Sequence, residues 1–402
     1  MTKTSGRTLI KVLFVSHDGG MAGAQRTLQT LLTNIDRSRF IPYLLVPNQG
    51  KLSLVATEMG IQVFVRQMIH WVPGVNALFR SQRLSYFLRS FKTLRARSWA
   101  IAHLIEEHQI DLVYTNTVTC IEGAIAARMT DKPHIWHIHE SITGNSELIP
   151  LLPFPLYSLI VRALSKTIIF CSVSLARTFP LLKNNNHIVY NGLKFPAPIN
   201  RKYAHDLLVK NLEIEESQKI VAIVSALQPR KDHRTFLATA HEITSKYKDV
   251  VFLIAGEGAE VYTKKIKRKI ELLNLAPSVK LIGWWPEDNI YDLLAGVDVL
   301  VVSSEQESFG LTIIEALAME TPVVSTRCGG PEEVIVDRQT GLLVPLKDPE
   351  SMAKAIIKLL QNPQLACEIG QAGRNDVLSR FSVKQYCESI QQILEQSLSQ
   401  NQ

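Results

Sequence analysis

A chain of 402 residues, 46% of them apolar and 20% charged, can bury two ordinary cores, which excludes a disordered or fibrous chain and a small disulfide-stapled domain. Cys120, Cys171, Cys328, Cys367 and Cys387 are scattered, with no Cys-x-x-Cys and no His at ligand spacing; reduced thiols in the cytoplasm and no structural metal are expected. The net charge of +7 is uneven: Met1–Tyr190 carries 20 Lys and Arg against 10 Asp and Glu, and the remainder 24 against 27, so the first half is expected to face an anionic partner, membrane headgroups or an acidic acceptor, and no nucleic acid.

Met1–Arg7 is polar, and the apolar run Leu9–Val15 includes Lys11, too short for a signal core or a span, so it reads as a strand. A Gly-rich turn follows, then a helical pattern over Ala24–Leu32. Further strands are expected at Tyr43–Val46, Gln62–Val65, Asp111–Thr115, His134–Ile138, Thr167–Phe170 and His187–Tyr190. Between Ile61 and Ile101 the cations Arg66, Arg80, Arg83, Arg89, Lys92, Arg95 and Arg97 occur with no acid, while Leu84, Phe87, Leu88, Phe91 and Leu94 recur at helical spacing. Two readings stay open: a basic amphipathic helix on an anionic membrane, or a helix packing its stripe on its own sheet. The stretch Leu148–Ala163 holds Pro150, Pro153 and Pro155 and falls short of the roughly 20 residues a span needs.

Gly192–Asn200, with Pro196 and Pro198, reads as a linker. The same rhythm then restarts. Strands are expected at Lys219–Val224, Val250–Ala255, Val279–Ile282, Val297–Val302 and Pro322–Ser325, with a helix over Thr235–Tyr247 and a last one over Val383–Leu398. Short Val- and Ile-rich runs alternating with helices imply parallel sheets covered on both faces. The expected fold is α/β, with two facing Rossmann-like doubly wound domains. Residues 1–195 form the first, 196–380 the second, and 381–402 a helix that crosses back to the first. Ligands bind such folds at the carboxyl ends of the strands.

The densest motif lies at such an end: Ser303-Ser304-Glu305-Gln306-Glu307-Ser308-Phe309-Gly310-Leu311-Thr312-Ile313-Ile314-Glu315. Gly310 and Thr312 sit where a loop becomes a helix, and free N–H groups there suit a diphosphate. Glu307 before the helix and Glu315 inside it could hold hydroxyls on either side of that diphosphate. A second motif, Ser225-Ala226-Leu227-Gln228-Pro229-Arg230-Lys231-Asp232, also follows a strand and offers two cations. The first Gly-rich turn, His17 to Gln25, lets the backbone approach a phosphate or sugar, and lacks the Gly-x-Gly-x-x-Gly spacing of a dinucleotide site. In Trp136-His137-Ile138-His139-Glu140 the two histidines share a face; a metal there lacks a third ligand.

From Glu307 the chain runs through Thr321-Pro322-Val323-Val324, Gly329-Gly330-Pro331-Glu332-Glu333 and Thr340-Gly341-Leu342-Leu343. This resembles the retaining glycosyltransferases of family 4, of the GT-B fold, whose mark is Glu-x7-Glu, a Thr-Pro-Val-Val strand, a Gly-Gly-x-x-Glu loop and a Thr-Gly-Leu-Leu turn. The resemblance implies that Glu307 holds the donor sugar, Glu315 the ribose, and Lys231 the departing diphosphate. Ser308, Phe309, Gly310, Leu311 and Thr312 then line the donor. Gly23, in a variant of the family's Gly-Gly-Ala-Glu, approaches it, and His139 contacts the sugar. Ala226 departs from the family's Arg, with Arg230 as the substitute cation, and Glu320 departs from its Gly. The implied activity is metal-independent transfer, with retention, from a nucleotide sugar to a glycan or lipid-linked acceptor. No cofactor is needed beyond the donor, and the setting is cytoplasmic or peripheral on the inner membrane face. A degenerate, non-catalytic carbohydrate-binding or scaffold protein, favoured by Ala226, and a sugar-nucleotide epimerase are the alternatives.

Overall fold

The computed structural model describes residues 9–74, 83–143, 145, 148–182, 186–197, 199–286 and 289–399, and of residues 83, 84 and 87 the backbone alone. Arg80 and Pro198, and the side chains of Arg83, Leu84 and Phe87, lie outside the described residues. The chain divides into two units, Met1–Leu193 with Val383–Gln402, and Lys194–Ser382.

In the first unit β1 (Ile10–Val15), α1 (Gly23–Asn34), β2 (Phe40–Val46), α2 (Lys51–Glu58) and β3 (Gln62–Val65) are followed by the long α3 (Arg83–Glu107). Then come β4 (Leu112–Thr115), α4 (Glu122–Met129), β5 (His134–Ile138), α5 (Phe154–Leu164), β6 (Thr167–Phe170), α6 (Val173–Arg177) and β7 (Asn186–Ile188). The strands form one sheet in the order β3-β2-β1-β4-β5-β6-β7, and its described pairs are parallel. Continuous apolar runs such as Val12–Val15 are buried outright because helices cover both faces of a parallel sheet.

One face packs on Leu28, Leu31, Leu32, Leu52 and Ala56 of α1 and α2, the other on Ile101, Leu104 and Ile105 of α3 and Ala126 and Ala127 of α4. Arg97, one of the expected surface cations, is buried: its Nε donates to Glu122 at 2.8 Å and clamps α3 to α4. Tyr157, in the proline-rich apolar stretch, is core as well, and its hydroxyl donates to the Trp71 carbonyl at 2.9 Å.

The second unit holds α7 (Arg201–Asn211), β8 (Lys219–Val224), α8 (His233–Lys246), β9 (Val250–Ala255), α9 (Glu260–Leu272) and β10 (Val279–Gly283). These are followed by α10 (Ile290–Gly296), β11 (Val299–Val302), α11 (Leu311–Ala318), β12 (Val323–Thr326), α12 (Pro331–Val334), β13 (Leu342–Val344), α13 (Pro349–Gln361) and α14 (Pro363–Arg380). Its parallel sheet runs β10-β9-β8-β11-β12-β13. The Leu342-Leu343 segment, expected as a turn, is the edge strand β13, paired to β12 from Val324↔Leu342 onward; three residues are too few for a periodicity to register.

The last helix, α15 (Val383–Ser399), belongs to the first unit. It lays Tyr386, Ile390 and Leu394 on the α1–α2 face, and Gln391 Oε1 accepts from the Asp36 N–H at 2.8 Å.

Candidate functional site

In each sheet the strand order reverses beside the first strand, between β1 and β4 and between β8 and β11. Such a switch point parts the loops at the carboxyl ends of the strands and leaves room for a ligand. In the second unit the chain leaves β8 through a 3-10 turn, Pro229–Lys231, and Asp232 stops it at φ +47°. The Asp232 carboxylate accepts from the Thr235 N–H at 3.3 Å and caps α8, so the turn that presents Arg230 and Lys231 is anchored by a helix start. The β11 loop is stitched to it: Ser303 Oγ donates to the carbonyls of Lys231 at 2.9 Å and Asp232 at 3.0 Å, and the Glu305 N–H donates to the Arg230 carbonyl at 2.8 Å.

These stitches bring Glu307, Lys231 and Arg230 together. The Lys231 ammonium donates to Glu307 Oε1, Ser304 Oγ donates to the same oxygen at 2.7 Å, and an Arg230 guanidinium nitrogen lies 3.7 Å from Oε2. Burial pushes the Glu307 carboxyl up, but the two cations and the hydrogen bonds from Lys231 and Ser304 outweigh it and hold the group below its ordinary range. Burial draws the Lys231 ammonium below the usual lysine range, with Glu307 opposing. Ala226, where a family arginine was expected, is exposed and carries no charge. Ser304 takes its role from this contact, and a hydroxyl three residues before Glu307 is its sign in the sequence.

Glu307 is fixed from behind as well. Its N–H donates to the Cys328 carbonyl at 3.1 Å, and its carbonyl accepts from the Gly330 N–H at 2.8 Å. A Cβ on Gly330 would stand 2.5 Å from the Phe309 backbone, so the Gly-Gly loop is required by close approach to the Glu307 loop. Gly310 then adopts φ +101° as the N-cap of α11, and as a glycine it brings no side chain to that cap. The first turn, Leu311 and Thr312, is half-buried beside Ser308. The Phe309 ring itself is core, edge-on to Phe381 at 5.4 Å, so only its backbone is available to a ligand. Glu315 is 1% exposed in the second turn of α11.

In the first unit the switch point gathers His17, Asn116 and His139. His139 Nε2 donates to Asn116 Oδ1 at 3.1 Å, because an amide oxygen can only accept, and Asn116 Nδ2 donates to the Ala24 carbonyl at 2.8 Å. Burial, and then the neighbouring His17, lower the His139 imidazole to about 3, so it is neutral at pH 7. His137 is fully buried; its Nδ1 meets the Tyr114 hydroxyl, and its ring centroid lies 3.9 Å from that of His139. It is therefore a core group, and the two histidines do not present a paired face to a metal. Among the described residues no group of His, Cys, Asp and Glu side chains is placed to hold a metal ion.

Gly23 is the first residue of α1, at whose start the Ala22 N–H donates to Gln25 Oε1 at 3.3 Å. Gly19, expected to approach a ligand, instead approaches protein: a Cβ there would lie 2.2 Å from the Asn48 carbonyl oxygen, and its own N–H donates to Asn48 Oδ1 at 2.9 Å. Asn116, which orients His139, was missed; a polar residue immediately after a buried strand was the available sign.

Residues 205–376 match the family model of glycosyl transferases group 1. N-acetyl-alpha-D-glucosaminyl L-malate synthase of Bacillus anthracis is 32% identical over 206 residues, 51% of this chain, and the chain spans about half, 52%, of that relative's length. A glycosyltransferase of Methanocaldococcus jannaschii is 26% identical over 82% of this chain and 85% of its own. Among solved structures, Anabaena HepE in complex with UDP matches 96% of this chain and 100% of its own at TM-score 0.78 and 20% identity. Sucrose-phosphate synthase of Thermosynechococcus elongatus matches 97% and 99% at TM-score 0.75 and 19% identity. Two parallel-sheet α/β units of the GT-B fold are what these structural likenesses establish.

Proposed function

We propose that this chain, whose second unit is a glycosyl transferases group 1 domain, is a retaining glycosyltransferase that moves a sugar from a nucleoside-diphosphate sugar to a glycan or lipid-linked acceptor without a divalent metal. The observation that carries the reading is the stitched pair of loops after β8 and β11, which holds Glu307 against Lys231, Arg230 and Ser304 next to the start of α11, whose N-cap is Gly310. The bond to break joins the anomeric carbon to a phosphate oxygen, and the charge that develops falls on the diphosphate. Two preset cations and a helix start suit that charge. Arg230 is the second cation of the clamp in place of the family's arginine. The acceptor hydroxyl attacks on the face the diphosphate leaves, and its proton passes to an oxygen of the departing phosphate.

Glu307 accepts a hydroxyl of the donor sugar, Glu315 those of the ribose, and His139 offers the sugar a neutral imidazole. Gly23 and the backbone from Ser308 to Thr312 approach the donor. Because HepE was crystallised with UDP, uridine diphosphate is the first nucleotide to test. A membrane-proximal acceptor agrees with the basic excess of Met1–Tyr190.

Thermal-shift titration against a panel of nucleotide sugars and nucleoside diphosphates tests the donor; a ligand at a hundred times its Kd should stabilise the protein by about 2.7 kcal/mol. Glu307→Ala should abolish transfer and leave nucleoside diphosphate affinity nearly intact, whereas Glu315→Ala should weaken the nucleotide itself. Equal loss of nucleotide binding in both variants overturns the assignment. Ala226 favours one rival, a binding protein without turnover; nucleotide-sugar binding with no transfer or donor hydrolysis across the panel would establish it.

A further inference from the structure

The proposed reaction makes no use of the outer face of α3. Around this helix the buried positions, Ser90, Arg97, Ser98, Ile101, Leu104 and Ile105, fall on one side. Leu88, Lys92, Arg95 and Trp99, spaced four, three and four residues apart, fall on the other and form one continuous stripe. Leu88 is 58% exposed and Trp99 61%, large apolar side chains that a soluble helix ordinarily turns inward. Lys92 and Arg95 lie between them, exposed, and Arg89 flanks the stripe, its guanidinium over the Tyr86 ring at 5.9 Å. No acid occurs from Met59 to His103.

We infer that this stripe is the surface by which the first unit lies on an anionic phospholipid bilayer. The inference rests on the reading that the acceptor is lipid-linked or membrane-proximal, and locates the contact. Trp is suited to the interface between headgroups and hydrocarbon, and Leu88 would enter the hydrocarbon beside it. Lys92 and Arg95 can lay their stems along the apolar edge and carry their charges to lipid phosphates. A second copy of the chain is a poorer occupant, because a self-interface would set Arg89, Lys92 and Arg95 against their own images, and charged residues are depleted from interface cores. Among the described residues no helix is long and apolar enough to cross a membrane, so the contact is a surface one.

Co-sedimentation of the full chain with vesicles of phosphatidylglycerol in phosphatidylcholine, against phosphatidylcholine alone, tests this at low and high salt. Binding should require the anionic lipid and fall with salt. Lys92→Gln with Arg95→Gln should weaken partitioning about 30-fold, taking each cation near the surface at the usual strength. Lipids brominated in the acyl chain should quench tryptophan fluorescence, and Trp99→Phe should remove most of that quenching. The same variants should leave donor hydrolysis without vesicles unchanged and melt at the wild-type temperature, which separates failure of docking from failure of the transferase reading. Equal binding to neutral vesicles, no binding to anionic ones, or undiminished quenching in Trp99→Phe overturns the inference. So does a change of oligomeric state in the charge variant, or retention of duplex DNA without vesicle binding.

Discussion

Burial pushes the Glu307 carboxyl up and draws the Lys231 ammonium down, and each group opposes that shift in the other. Removing one partner therefore costs more than removing both. Lys231→Met should lower the stability of the second unit by about 2 kcal/mol, and Lys231→Met with Glu307→Gln should recover most of it. If Lys231 grips the leaving group as proposed, transfer should stay at least about a hundredfold down in both. Denaturant melts and initial rates on the two variants check this; activity returning with stability would show the pair to be purely structural. Glu320 makes a second residue-scale case. It adopts φ +60°, the left-handed conformation that favours the glycine usual at this helix end. The departure noted in the sequence is thus a strained one, and Glu320→Gly should stabilise the unit by about 0.5–1 kcal/mol, read as a higher Tm.

Among the elements, the positions of the functional loops are decided by close backbone approaches. Gly330 meets the Phe309 backbone, and a Cβ on Gly258 would lie 2.1 Å from the Leu227 carbonyl oxygen, where the β8 and β9 loops touch. Neither contact can be relieved by turning a side chain. Gly330→Ala should push the Glu307 loop and the start of α11 away and weaken nucleoside diphosphate binding about tenfold or more, while the far-ultraviolet spectrum stays that of a folded α/β protein. Unchanged affinity by calorimetry would show that the loop tolerates the shift. The helix α15 makes the converse point, since its value lies wholly in packing. Tyr386, Cys387, Ile390 and Leu394 are buried in the first unit's core. At about 1.5–3 kcal/mol for each large side chain, their loss is comparable with the whole stability of a domain. Truncation after Ser382 should abolish the melting transition of the first unit and spare that of the second, as differential scanning calorimetry can show.

Across the whole molecule, sensitivity to acid is unequally shared. Burial lowers the imidazoles of His17 to about 4 and of His134 and His139 to about 3, and that of His137 well below the ordinary value. All four are in the first unit; the second holds one comparable group, His233, lowered to about 4. The unfolded chain takes up protons near pH 6.5 that the folded unit refuses, so stability is full above that pH and is lost as pH falls toward 4. The slope reaches about 1.4 kcal/mol per pH unit for each histidine. Glu140, raised by burial, acts in the opposite sense below neutrality, but it is one group against four. Lowering the pH from 6.5 to 4 should therefore melt the first unit well before the second. Two transitions that shift together would contradict this.

Much of the architecture is local in origin. Runs such as Lys219–Val224 and Val250–Ala255 are strands on their own apolar content, and their alternation with helices requires two covered parallel sheets whatever the contacts. The order of the motifs after those strands likewise puts Glu307, Lys231 and His139 just past strand ends by chain order alone. The partners were not legible, because a partner is a fact about space. Arg97 reads as one more cation in a basic stretch until α4 brings Glu122 to it. Gly19 reads as a ligand-facing glycine until the Asn48 carbonyl occupies the space a Cβ would need. Which face of α3 stays outside depends on where the sheet and α4 lie, because an amphipathic pattern with apolar residues on both sides has no preferred inside of its own. Chemistry that follows from residue type and chain order belongs to the sequence; burial, pairing and exposure are decided by packing between segments up to a hundred residues and more apart.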